Sequence, residues 1–417
     1  MIFYNEIDFR ETSLGRVPKN WDVVPTEKLC TKVTDGTHDT PKPADEGYFL
    51  VTSKHIKNGR IDFSEAYLIS KDDFDETNKR SKVDAYDVLF SMIGTVGLTT
   101  VVTTEYPAFA IKNIGLFKTK TDKKLANWLH YYFASSFSQR YIQKNLKGTT
   151  QKYIPLYALR KFPIVLPHPS ERQRIVEVLS VVDLAIGKVD EVIAKTERLK
   201  KGLMQELLTK GMGHKEFKDT RMGKTPKEWQ VVRLGEKSVA DIVMGQSPPS
   251  STYNKDGLGL PFLQGKMEFG EIFPSPTTYC SKPMKIAESN DVLLSVRAPV
   301  GEVNIAPFRC CIGRGLTAIR AKMNNLHNVF LFYYLKSEGR RFESLSTGST
   351  FKAIRKKEIE TFSIPLPHLP EQQKIAEILS TVDKKLELER EEKTKLEKIK
   401  RGLMDLLLTG KVRVKVD

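Results

Sequence analysis

The sequence predicts an α+β protein: two pseudo-symmetric globular domains separated by two long antiparallel helices that form a coiled coil. Three observations predict it. Residues 167–209, beginning PHPSERQRIVEVLSVVD and ending KGLMQELLT, return as residues 367–409, beginning PHLPEQQKIAEILSTVD and ending RGLMDLLLT, with an offset of 200 from His168 to His368. The globular stretch before each copy also repeats, since FRETSLGRVPKNWDVV from Phe9 returns as FKDTRMGKTPKEWQVV from Phe217, an offset of 208. The repeated stretches, lastly, carry apolar residues at alternating steps of four and three, the seam of a coiled coil. The expected boundaries are 1–166 and 211–366 for the globular domains, 167–210 and 367–410 for the helices, and 411–417 for a tail that packs on the first domain.

In the first helix the seam runs through Ile175, Leu179, Val182, Ile186, Val189 and Ile193 and resumes at Leu203 and Leu207. The second keeps Ile375, Leu379, Val382, Leu386, Leu396, Leu403 and Leu407, but Glu389 and Lys393 fall on its seam, so its middle is expected to be wet or to face a partner. About 38 residues at 1.5 Å each make a rod of roughly 57 Å. Gly202 and Gly402 near the distal ends are expected at a docking surface, because glycine costs a helix about 1 kcal/mol and permits close approach.

A chain of 417 residues is too long for one ordinary core, and 40% hydrophobic residues supply two. No apolar run is long enough to span a membrane and the charged start does not look like a signal peptide, so an intracellular, cytoplasmic protein is expected. A formal net charge of +16 favours polyanions, nucleic acid first, through counterion release. The four cysteines, Cys30, Cys280, Cys310 and Cys311, show no ligand or disulfide spacing and read as buried thiols.

In the first domain, Gly15, Pro18 and Trp21 correspond to Gly223, Pro226 and Trp229: a turn, an aromatic anchor and a short strand. The polar loop VTDGTHDTPKP from Val33 projects Thr37 and His38, and FLVTSKHIKNG from Phe49 reads as a strand entering a basic turn with Lys54 and His55. No metal is expected at these histidines, which lack partners at ligand spacing. DVLFSMIGTVG from Asp87 is a buried strand entering a glycine turn, repeated as DVLLSVRAPVG from Asp291 at an offset of 204. Residues 126–143 read as one aromatic-rich helix. After it, Lys147, Thr149 and Lys152 beside Gly148, with Ser349 and Lys352 beside Gly348 in the second copy, form loops suited to phosphate, although a helix N-cap explains Thr149 and Ser349 nearly as well.

The second domain contains the loop MGQSPPSSTYNKDGLGLPFLQG from Met244. Its candidates for DNA contact are Gln246, Ser247, Tyr253, Asn254, Gln264 and the adjoining Lys266, because side-chain amides pair bidentately with adenine. Arg297 and Arg314, in the strand-turn-strand that follows, are placed to reach guanine or phosphate. Catalytic chemistry is not expected. SPPS from Ser247 looks superficially like the turn that amino-methyltransferases wrap around a target base, but it lacks the stacking aromatic, and no glycine-rich cofactor loop or Walker-type loop occurs.

Two unlike globular halves, each closed by a segment such as IPLPHLPEQQKIAEILSTVD and a helix ending GLMDLLLTGK, resemble the DNA-specificity subunit of type I restriction-modification systems. DGTHDTP, GQSPPSSTYN, DVLLSVRAPVGEVNIA and CIGRGL are similar to segments of its target-recognition domains, and the resemblance covers nearly the whole chain. It implies two target-recognition domains, each reading half of a split duplex DNA target, with the helices as spacer. It also implies two modification subunits carrying S-adenosylmethionine, and a restriction (translocase-nuclease) subunit able to join them with Mg and ATP; this chain itself carries no cofactor and no catalytic residue. Three rival readings stay open: a specificity subunit serving a fused methyltransferase-nuclease partner, a basic coiled-coil scaffold, and a self-sufficient methyltransferase.

Overall fold

The computed structural model describes residues 2–345 and 353–415. They form two compact units, one comprising Met1–Val189 with Glu392–Asp417 and the other Asp190–Glu391.

Residues with strong β preference build the heart of the first unit, a four-stranded antiparallel sheet in the order Thr99–Val101, Val88–Ser91, Ile114–Lys118, Lys32–Asp35. Val88–Ser91 is buried along its whole length, which is why it reads as a continuous apolar run instead of an alternating one. Beside it Phe109–Lys112 pairs in parallel with Tyr48–Thr52, which pairs antiparallel with Leu68–Ile69. The second unit repeats the plan. Its four-stranded sheet runs Ala240–Met244, Leu316–Ala321, Val292–Ser295, Val303–Ile305, and Cys310–Ile312 lies parallel to Leu260–Leu263 within a five-stranded sheet.

The long helices are Pro169–Thr209, of 41 residues, and Leu369–Leu407, of 39. In the first unit the opening turns of one lie with the closing turns of the other, Ile175 and Leu179 joining Leu407 and Leu408 in a core that also holds Trp21, Trp128 and Val165. In the second unit Ile375, Ala376 and Leu379 join Leu207 and Leu208 around Trp229. Ile175, Leu179, Ile375 and Leu379 are fully buried, on the helix-pair side of the expected partner and helix-pair interface. Val182, Ile186, Val189, Ile193, Leu203, Val382, Glu389, Lys393 and Leu403 are half-buried, and Leu386 is buried. Gly202 and Gly402 are exposed, and a Cβ at either would meet open space, so no close approach within the chain explains them.

A carboxylate in the first turn fastens each long helix to its unit. Trp21 is fully buried and its Nε1 donates to Glu171 Oε2 at 3.2 Å, while Arg413 donates to both Glu171 oxygens at 2.6 and 2.7 Å. Arg413 arrives on Val412–Val414, which pairs antiparallel with Phe3–Asn5. In the second unit Trp229 Nε1 donates to Glu371 Oε2 at 2.9 Å, and the Met212 amide and His214 Nε2 approach Oε1, each at 2.9 Å. A second fastening repeats as well. The Tyr131 hydroxyl donates to Asp183 at 2.7 Å and the Tyr333 hydroxyl to Asp383 at 2.7 Å, and these aspartates pair with Lys400 and Lys200 respectively.

Two expectations need correcting. The stretch 126–143 is not one helix but parts of two, Lys123–Phe133 and Ser136–Asn145, because Ser135 caps the second by accepting from the Ser138 amide at 3.2 Å. The region 244–265 is not a loop throughout. Ser250–Thr252 is a 3-10 turn, and Tyr253–Asn254 and Leu260–Leu263 are strands of the five-stranded sheet. All four cysteines are buried and unpaired in disulfides. Burial pushes the thiols of Cys30 and Cys310 up to about 12 and that of Cys311 up to about 11, out of the reactive range. Among the described residues no helix is long and apolar enough to cross a membrane.

The Glu171–Arg413 pair generates a stability prediction. Glu171→Ala leaves the buried Arg413 guanidinium with Glu6 and Asn20 alone and the Trp21 indole N–H unpaired, and lowers the unfolding free energy by about 3–5 kcal/mol. Replacing both partners, Glu171→Leu with Arg413→Met, recovers only part of that loss, because Trp21 Nε1 and Glu6 stay unpaired, as read by thermal and denaturant unfolding.

Candidate nucleic-acid interface

In both units the turns that follow the central strands converge on one edge, held by backbone hydrogen bonds between turns. In the second unit the Gly245 amide donates to Leu316 O at 2.9 Å, the Gln246 amide to Ile312 O at 3.0 Å, the Gly313 amide to Leu263 O at 2.8 Å and the Val296 amide to Gly315 O at 2.9 Å. The approach is backbone to backbone. A Cβ on Gly245 would collide with the Gly313 carbonyl, and one on Gly315 with the Gln264 carbonyl. Glycine is needed there to let the turns meet.

This edge brings together Gln246, Ser247, Gln264, Arg297 and Arg314. Ser247 Oγ accepts from the Arg314 amide at 3.2 Å and so shapes the turn, while Gln246, Gln264, Arg297 and Arg314 are exposed. Among the described residues neither arginine has a carboxylate partner, which leaves two uncompensated guanidinium groups beside two amides. Lys266 is exposed but pairs with Glu302 at 2.7 Å.

Tyr253 and Asn254 are differently employed. The Tyr253 hydroxyl donates to Pro248 O at 2.8 Å, its ring lies against Phe262 with centroids 4.7 Å apart, and burial pushes its phenol up from the ordinary value. Asn254 Oδ1 accepts from the Asp256 and Leu258 amides at 3.1 and 3.0 Å, and its Nδ2 donates to Leu258 O at 2.9 Å. Their polar groups are consumed within the loop, so both shape it and neither projects from it.

The first unit builds the corresponding edge with other side chains. The Gly36 amide donates to Ile114 O at 2.9 Å, the Thr37 amide to Ile111 O at 3.0 Å and the Asn113 amide to Thr37 O at 3.1 Å. Thr37 is half-buried, and His38 and Lys54 are exposed. Nearby, Lys147 and Tyr153 exchange backbone hydrogen bonds at 2.8 and 3.0 Å, closing a loop on which Lys147, Thr149 and Lys152 are exposed; the Gly94 amide donates to Lys152 O at 3.0 Å and joins that loop to the strand ends. No helix starts at Thr149, so capping does not account for it. Ser349 and Lys352 lie outside the described residues.

His55 is a correction. It is buried, its Nδ1 accepts from the Thr52 amide at 3.0 Å, and burial lowers its basicity, so it caps a 3-10 turn and cannot reach a ligand. The residues sequence reasoning missed are Lys112 and Asn113, which form the turn equivalent to Gly313–Arg314–Gly315, together with Asp35 and Arg80, which are ion-paired beneath it. The duplication carries the signal: Ile111 and Ile312 hold the same hydrogen bond in the two units, so the turn after Ile111 deserved the weight given to CIGRGL. Among the described residues no group of three His, Cys, Asp or Glu side chains is placed to hold a metal ion.

With this geometry in hand, comparison with known proteins is informative. The family model for the type I restriction modification DNA specificity domain matches twice, over residues 18–195 and 226–398. A Methanocaldococcus jannaschii protein named as a type I restriction enzyme MjaX specificity subunit is 39% identical, covering 99% of this chain and 98% of its own length. The type I restriction enzyme MjaVIII specificity subunit of the same organism is 29% identical over 100% of this chain and 98% of its own. Among solved structures, a chain from a type I R-M system superposes with a TM-score of 0.59 at 29% identity, covering 95% of this chain and 99% of that one. The S subunit from M. genitalium gives a TM-score of 0.59 at 16% identity, covering 95% of this chain and 97% of that one, a likeness of fold. The chain therefore belongs to the type I restriction-modification DNA-specificity family, as a subunit that recognises DNA sequence.

The close approach of the turns is open to a direct test. Gly245→Ala lowers stability by about 1–3 kcal/mol, because backbone on both sides must move. Gly265→Ala, whose Cβ would meet nothing within 4 Å, is nearly neutral in the same thermal-unfolding comparison.

Proposed function

We propose that this chain reads a bipartite duplex target, one half with each unit, and directs methylation or cleavage that partner subunits perform. The observation that carries this reading is one frame with two unlike edges. The same strand order and the same turn-to-turn hydrogen bonds present Thr37, His38, Lys112 and Asn113 in the first unit and Gln246, Gln264, Arg297 and Arg314 in the second. Amides and guanidinium groups read base edges in the major groove, while Lys54, Lys147 and Lys152 supply the phosphate contacts that fix register. Residues 1–166 and 211–366 are then the two target-recognition domains, and 411–417 is the tail that closes the first.

The long helices, 167–210 and 367–410, pair antiparallel as a coiled coil and set the spacing between half-sites. Their exposed and half-buried faces, with Gly202, Gly402, Glu389 and Lys393, receive two modification subunits, and restriction subunits join that assembly. S-adenosylmethionine, Mg and ATP belong to those partners; this chain is non-catalytic and works in the cytoplasm. Its charge of +16 suits a duplex partner and makes binding strongly salt-dependent.

Exchanging residues 1–166 for the corresponding domain of another family member changes one half-site and leaves the other as it was, by methylation mapping. A change in both halves, or in neither, contradicts the modular reading. Removing whole heptads from both long helices shortens the spacer between unchanged half-sites, and a constant spacer in the same mapping rejects the helices' role.

A further inference from the structure

The first unit's edge contains an arrangement with no counterpart among the described residues of the second. Asp35 ends the strand Lys32–Asp35 with a side chain only 4% exposed, and it is paired with Arg80 from the helix Lys71–Ser81. His38, 62% exposed, places Nε2 3.1 Å from Asp35 Oδ2 and Nδ1 2.8 Å from Asn113 Oδ1. Met244 occupies the register position of Asp35 in the second unit, opposite Thr317 where Asp35 lies opposite Gly115.

Asn113 is fixed everywhere but at its amide. Its φ of 52° lies in the left-handed region, its backbone N–H donates to Thr37 O at 3.1 Å, and its carbonyl accepts from Ser53 Oγ at 3.2 Å. With Oδ1 facing His38, the Nδ2 amino group has no partner among the described residues. We propose that Asn113 is a specificity-determining residue of the first unit, and that His38 is the positioning residue deciding which end of its amide faces DNA. This rests on the reading that the strand-end edges face the half-sites.

The chemistry follows from counting protons. His38 Nε2 faces a carboxylate and carries hydrogen in either state. When the imidazole is protonated, Nδ1 is also a donor; it holds Asn113 Oδ1, and Nδ2 points outward as a donor to guanine O6 or N7, adenine N7 or thymine O4. When the imidazole is neutral, Nδ1 bears a lone pair, and two facing acceptors repel. The amide then turns over about a soft torsion, Nδ2 donates to His38 and Oδ1 points outward, accepting from cytosine N4 or adenine N6. The groups bearing on His38 are Asp35 and Arg80, with Lys112, whose ammonium is held by Thr40, across the turn and Asp39 next in the chain. One base pair of the half-site is therefore read by whichever end of the Asn113 amide His38 leaves free.

The test is selection from a randomised duplex library by the full-length chain in its native complex. Asn113→Gly keeps the left-handed backbone and removes only the amide. It is expected to cut discrimination at one base pair of the first half-site at least about fivefold and to leave the second half-site unchanged. Asn113→Asp, which also tolerates that backbone, is expected to move the preference toward cytosine or adenine. Arg314→Ala serves as the reference for the second unit. If it relaxes the second half-site while both Asn113 variants select like the wild type, the strand-end reading stands and this inference is wrong. If neither Arg314→Ala nor the Asn113 variants move any base pair, the strand-end reading itself fails and takes the inference with it. If His38→Ala leaves the preferred base at that pair unchanged, the role assigned to His38 is wrong.

Discussion

In each unit one carboxylate in the first turn of a long helix, Glu171 or Glu371, ties that helix to a fully buried tryptophan and to the segment that leaves the other long helix. A carboxylate withdrawn from water is costly unless every oxygen is occupied; Glu171 is buried, Glu371 is 15% exposed, and each has a partner on both oxygens. Glu171 is met by Trp21 and by both arms of Arg413; Glu371 is met by Trp229, a backbone amide and His214. The segment leaving a helix enters the joint through a left-handed glycine, Gly211 at φ 68° or Gly410 at φ 71°. The first unit is thus closed by residues far from it in sequence, and its C-terminal strand does for it what the inter-helix connector does for the second.

Around that joint the frame is conservative and the edge is not. The four-stranded sheets share their strand order, and the turns meet through equivalent amide-to-carbonyl bonds at glycines that no other residue can replace cheaply. What varies is the chemistry mounted on them. Among the described residues the second unit's edge presents two arginines without carboxylate partners, and the first presents an Asp35–His38–Asn113 chain whose aspartate also holds Arg80. A rigid frame with exchangeable turns fits a family that recognises different DNA sequences, because changing a turn side chain leaves the backbone network intact.

Much of this was legible from the duplication. An offset of 200 exposed both long helices, and the paired Trp21 and Trp229 marked the anchors that prove fully buried. The misses have physical causes. Ser135 splits an apolar stretch that periodicity alone reads as one helix, because a hydroxyl cap competes with helix continuation. His55, Tyr253 and Asn254 have the composition of ligand contacts, yet His55 is buried with Nδ1 on the Thr52 amide, and the polar atoms of the other two are consumed by nearby backbone, which residue type does not reveal. Lys112 and Asn113 escaped notice because they sit between two buried strands and read as an interruption of the core, whereas the fold turns that interruption outward.

The central claim is that two unlike edges on a common frame read two unlike half-sites. Methylome sequencing of cells expressing this chain with its modification partner tests it most directly. The account requires one motif made of two different half-sites separated by a spacer of constant length. A single contiguous motif, or two identical halves, would contradict it.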